Sequence, residues 1–195
     1  EDLLNPKWRG KLWGGDPRTH GGGWWPGTIL RLATGDDFLR RLWKDQEMAF
    51  SRENRQLTEN MVRGRYAIGI GAMTATVAAE FFAQGLGKNL KHIELVLPDG
   101  RAAVEHLNAG SDVVYVFNRA PHPDAAKLFA NWLLTKEGQT VWSKWAQNNS
   151  RRLGVPAVVD PSQLPTQGVK YLQIDKQEME PEWVKTINLA KAVLN

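Results

Sequence analysis

The sequence predicts an α/β fold, with a mostly parallel sheet flanked by helices. Three observations lead there. Short apolar runs at Lys11–Trp13, Met48–Phe50, Tyr66–Gly71, Ile93–Leu97 and Val113–Phe117 read as strands. Segments with apolar residues at helical spacing lie between them. Strands that alternate with helices favour parallel pairing, because each crossover helix covers the sheet.

Each element has a local reason. Asn5-Pro6-Lys7-Trp8-Arg9-Gly10 is a turn into the first strand, and Gly14-Gly15-Asp16-Pro17-Arg18 leaves it. His20 to Trp25 reads as a glycine-rich loop before a helix over Thr28–Thr34. A second helix starts at Gly35 or Asp36, with Phe38, Leu39, Leu42 and Trp43 on one face. Arg55–Arg63 forms a third, with Leu57, Met61 and Val62 inward and Gly64 as its stop. A helix over Thr74–Ala83 follows the Tyr66 strand.

The five apolar residues Val113–Phe117 suggest a strand buried on both faces. Pro123 suits the first turn of the next helix, and Asp124 places negative charge at the positive end of its dipole. Ala125, Leu128, Phe129, Trp132 and Leu133 share one face. Thr135 can cap another helix carrying Val141, Trp142 and Trp145. The stretch from Leu153 to Gly168 runs over the surface, and a helix over Glu182–Leu194 aligns Trp183, Ile187, Ala190 and Leu194.

Composition narrows the function. The 195 residues, with nine tryptophans, can build one domain or two small lobes. No run of about 18 apolar residues predicts a membrane span. Without cysteine there is no disulfide or thiolate chemistry, a composition compatible with the periplasm. The net charge of +4 is spread out, so a nucleic-acid surface is not expected. GxSxG, HExxH and P-loop motifs are absent, so no enzyme is expected. His20, His92, His106 and His122 have no ligand-like spacing.

One run of residues is specific. Ala120-Pro121-His122-Pro123-Asp124-Ala125-Ala126 opens a helix ending Asn131-Trp132-Leu133-Leu134-Thr135-Lys136-Glu137-Gly138-Gln139, and Ser150-Arg151-Arg152 follows. This resembles the extracellular solute-binding proteins of ABC importers, in the iron(III)-type branch, where an APHPNAA turn, an NWLLSxEGQ helix and an SRR recur. Asn5-Pro6-Lys7-Trp8-Arg9-Gly10 is similar to the opening of that family's second lobe.

The resemblance implies a periplasmic-binding-protein-like (type II) fold of two α/β lobes with ligand between them. Here it implies an incomplete version: residues 1–112 as the second lobe, 113–150 as a segment returning to the first lobe, and 151–195 as a tail and helix packing back. Most of the first lobe would then be missing, and the chain would be a processed or shortened product. A returning segment without its parent sheet would expose Phe129 and Trp132 and favour a homodimer or a segment swap. The implied function is capture of a small, anionic solute outside the cytoplasm and delivery to an ABC permease, with no cofactor.

Ferric members of the family use adjacent tyrosines. Tyr66, Tyr115 and Tyr171 are far apart, and Ala72-Met73-Thr74-Ala75-Thr76 stands where the pair is sought. A ferric-ion binder remains one alternative. A Rossmann-type enzyme using Gly69-Ile70-Gly71-Ala72-Met73-Thr74 is another, although this GxGxxT lacks the third glycine.

Candidate ligand contacts cluster after strands, where open α/β sheets bind ligands. Asp16 could cap or accept, and Arg18 could pair with an oxyanion; a plain surface turn is the other explanation. Trp24 and Trp25 could stack on a planar ligand or belong to the core. Gly71, Thr74 and Thr76 could admit an anion to a helix N-terminus, or form an ordinary tight turn. Arg151 could reach an anion or brace the lobe junction.

Overall fold

The computed structural model describes residues 2–71, 75–91, 93, 114–158, 167–168, 174 and 176–195. The chain forms two compact units, Glu1–Glu105 with Thr166–Asn195, and His106–Pro165.

The first unit is built on three parallel strands, β1 (Leu12–Gly15), β2 (Ala49–Ser51) and β3 (Ile68–Ile70). Their order is β2-β1-β3, with Trp13 opposite both Ala49 and Gly69. The helices are α1 (Trp24–Thr34), α2 (Asp36–Arg40) continued by a π-helical turn (Arg41–Asp45), α3 (Asn54–Val62), α4 (Ala75–Ala83) and, far along the chain, α7 (Glu180–Leu194).

Successive residues of a strand face opposite ways, and β1 uses this fully. Leu12 points into a core with Leu30, Leu39, Leu42, Trp43, Met48, Leu189 and Ala190. Trp13 points into a second core with Leu57 and Met61. There its ring stacks on Tyr66 at 4.8 Å, and its indole N–H donates to the Leu57 carbonyl at 3.1 Å. The α/β expectation for this unit is therefore met as a small parallel sheet with helices on both faces.

Local boundaries differ from expectation in one informative place. The helix expected to begin at Thr28 begins at Trp24. Pro26 sits in its first turn, where a residue without an N–H forfeits no helical bond. Trp24 and Trp25 thus lie on a helix and not in the glycine-rich loop.

The second unit carries α5 (Pro123–Leu133) and α6 (Lys136–Ala146). Pro123 is in the first turn of α5, and the Thr135 hydroxyl caps α6 by accepting the Gly138 N–H at 3.1 Å. Gly138 is required because a Cβ there would meet the Leu133 Cα at 2.8 Å. The Ser-Arg-Arg segment closes the same corner. Ser150 Oγ donates to Gln139 Oε1 at 2.6 Å, and Arg152 Nη1 donates to the Leu134 carbonyl at 3.1 Å.

Two expectations fail in this unit. Residues 114–117 form no strand, and Tyr115 and Phe117 are exposed. A strand buried on both faces needs neighbours to complete its ladder, and none forms among the described residues of this unit. The apolar face of α5 is likewise mostly outward: Leu133 is buried, but Leu128, Phe129 and Trp132 are exposed, as are Val141 and Trp145 of α6. Two helices alone have too little mutual surface to bury both stripes. The strand expected over Ile93–Leu97 lies outside the described residues apart from Ile93, which is exposed and outside any strand.

Candidate functional site

The carboxyl ends of β1, β2 and β3 lie side by side in the first unit, and their loops form the candidate site. Parallel pairing dictates this, since all three strands point the same way. The pairing continues one residue past β1, where the Asp16 N–H donates to the Ser51 carbonyl at 2.9 Å.

Asp16 is the centre of the edge, and its side chain is only 4% exposed. An isolated carboxylate so buried would be very costly. Here Oδ1 accepts from the Arg18 backbone N–H at 3.0 Å and from Arg18 Nε at 2.9 Å. Oδ2 accepts from Arg18 Nη2 at 3.0 Å and from Arg52 Nε at 2.9 Å. Burial pushes the carboxyl pKa up, but the hydrogen bonds from Arg18 and Arg52 and the charge of Arg18 outweigh it and hold the group at about 2. Asp16 is therefore an anion at any physiological pH.

Every nitrogen of the Arg18 guanidinium is engaged inside the fold. Its remaining terminal nitrogen, Nη1, donates to the carbonyl of Leu194 at 3.3 Å, tying the edge to the end of α7. The bond to Asp16 raises the Arg18 pKa against the opposing effect of burial. Both Asp16 and Arg18 hold the architecture together.

The glycines pack backbone on backbone. A Cβ on Gly15 would stand 2.6 Å from the Gly23 nitrogen. Gly71, in the left-handed region at φ +57°, would place a Cβ 2.7 Å from Pro26 Cγ. The turns after β1 and β3 thus both press on the start of α1.

Trp24 is half-buried among rings: His20 at 5.6 Å, Trp25 at 5.3 Å and Trp183 at 5.1 Å. Trp25 leans on the small core of Ile29 and Ile174. Thr74 and the side chain of Thr76 lie outside what is described. Arg151 belongs to the second unit and is not a free group. Tyr66 is spent on its stack with Trp13, Tyr115 is in the second unit, and Tyr171 is outside the described residues.

The structure adds Arg52, which the sequence reading did not single out. It follows β2 directly, and its side chain is 61% exposed. The signal is a cation one residue beyond a strand, in register with Asp16 after the neighbouring strand.

Residues 37–166 match the model of a family described as bacterial extracellular solute-binding protein. The chain belongs to that family. This solute-binding protein is also similar to an uncharacterized protein of Haemophilus influenzae, with 25% identity over 206 aligned residues. That alignment covers 98% of the chain and 55% of the relative, so the chain spans about half the length of the curated relative it matches. No helix among the described residues is long and apolar enough to cross a membrane.

Proposed function

We propose that this protein is the extracytoplasmic solute-binding component of an ABC importer, which captures a small anionic solute non-covalently and passes it to membrane permease subunits. The family match supports solute binding. The observation that carries the anionic reading is the composition of the strand-end edge: two guanidinium groups converge on one buried carboxylate, leaving a net charge of +1 where α/β sheets hold their ligands.

On this reading the sheet unit is the second lobe of a type II binding protein. Residues 1–112, 113–150 and 151–195 correspond to that lobe, to a segment returning to the first lobe, and to the closing tail. Closure would follow from ligand contacts that differ between the open and closed arrangements. The chain is exported, and the bare apolar face of α5 and α6 favours association through a homodimer or a segment swap.

Native mass spectrometry of the freshly purified chain, followed by calorimetric titration of whatever small molecule it carries, tests the function. A co-purified anion that rebinds supports it. A neutral sugar bound in preference to every anion would remove the charge argument and leave solute binding in place.

A further inference from the structure

Of the three arginines that follow these strands, two have a terminal nitrogen engaged within the fold. Arg18 spends Nε and Nη2 on Asp16 and Nη1 on Leu194. Arg55 pairs with Glu80 at 2.9 Å and lies over the Phe81 ring. Arg52 differs. Only its Nε is engaged, by Asp16 Oδ2, and its two terminal nitrogens carry no hydrogen bond to any described residue.

This geometry is directional. A guanidinium is planar and offers its donors in a fixed fork. The bond from Nε to a buried carboxylate tethers the head group, and neither terminal nitrogen is engaged by a described residue. Asp16 cannot swing to follow, because its other bonds go to Arg18. The base of Arg52 is fixed as well: the neighbouring Ser51 Oγ accepts the Glu53 N–H at 3.1 Å, which holds the turn between β2 and α3. An exposed arginine ordinarily loses rotamer freedom when it grips a ligand. Part of that loss is already taken here.

We infer that Arg52 is a solute-contacting residue of this edge, presenting its terminal nitrogens to an oxyanion group of the solute, with Asp16 as the positioning residue behind it. This deepens the proposed solute-binding function and rests on it. The oxyanion is a carboxylate or a phosphoryl group, since both match a paired N–H fork. Arg18 is the weaker candidate, because each of its three nitrogens is already engaged inside the fold.

The test is calorimetric titration of the whole chain with inorganic phosphate, with succinate and with neutral glucose, at low ionic strength. Phosphate against succinate separates the phosphoryl from the carboxylate source. At least one of them binds, and Arg52→Gln weakens that binding about tenfold or more, the size of a lost charge-assisted contact. Arg52→Lys recovers part of the loss, because it keeps the charge but not the fork. Thermal midpoints of both variants fall only modestly, since Asp16 Oδ2 keeps its bond from Arg18 Nη2.

Asp16→Asn also weakens binding if it folds, and the Arg52 variants decide the matter if it does not. Unchanged oxyanion affinity in Arg52→Gln overturns the inference while leaving an anion binder. Saturable glucose binding with neither oxyanion bound overturns it and the anionic reading together, but leaves solute capture standing. No binding of any of the three overturns the inference and counts against the function itself.

Discussion

Gly15 and Gly23 meet with no side chain between them: a Cβ on Gly15 would lie 2.6 Å from the Gly23 nitrogen. The end of β1 and the N-cap of α1 are thereby joined backbone to backbone. Neither partner is the end of a flexible side chain, so an added methyl must displace the main chain. Gly23→Ala is expected to destabilise the chain by about 3 kcal/mol, at the upper end of overpacking costs. Thermal denaturation should show a lowered midpoint, and an unchanged midpoint would mean the contact is looser than described.

The Asp16 carboxylate gives a pH prediction with a definite sign. Its folded pKa, about 2, lies below the ordinary value of 3.8. The native state therefore binds the proton more weakly than the unfolded chain does. The stabilisation is fully present above about pH 4 and is lost as pH falls towards 2, on the order of 2 kcal/mol in all. Urea unfolding between pH 5 and pH 2 checks this. In Asp16→Asn that part of the acid slope should disappear, and an identical slope would place the acid sensitivity elsewhere.

Arg31 fastens the C-terminal helix to the sheet unit. Its side chain, 10% exposed, donates from Nε to Thr186 Oγ1 at 3.0 Å and pairs with the carboxylates of Glu182 and Asp36. Thr186 in turn lies 3.1 Å from the hydroxyl of Thr28 on α1. Arg31→Met should cost about 2 kcal/mol, because it leaves a partly buried carboxylate and a buried hydroxyl short of a partner. Limited proteolysis should then cleave within α7 sooner than in the wild type. Equal cleavage rates would show that apolar contacts of Ile187, Leu189 and Ala190 suffice.

The second unit predicts an association phenotype. Leu128, 72% exposed, and Trp145, 70% exposed, belong to an apolar face that also includes Phe129 and Val141. Light scattering of the isolated chain should give a mass above 21.9 kDa that rises with concentration. The double variant Leu128→Glu, Trp145→Lys should return it to monomer without loss of helix signal. A wild-type monomer at all concentrations would rule this out.

Much of the candidate site was legible as location and little of it as role. Asp16 and Arg18 were visible because a Gly-Gly-Asp-Pro-Arg run after a strand marks a strand-end turn. Their pairing is local, two residues apart, but the burial of Asp16 and its bond to Arg52 depend on distant chain. Arg52 also follows a strand. Its importance comes from one hydrogen bond across 36 residues of chain.

What the sequence determined by itself is the local order of this protein. Apolar spacing at the helical period, the Thr135 cap, Pro123 in a first turn and Gly64 as a stop all act within a few residues, so short-range physics is enough to place them. The family run from Ala120 to Gln139 was likewise readable as a string. Only the tertiary structure decided which apolar faces are covered. It put Leu12 and Trp13 into separate cores, left residues 114–117 unpaired and turned α5 outward. Burial is a property of what lies opposite, and a sequence pattern states only that a face is apolar, not whether a partner arrives to meet it.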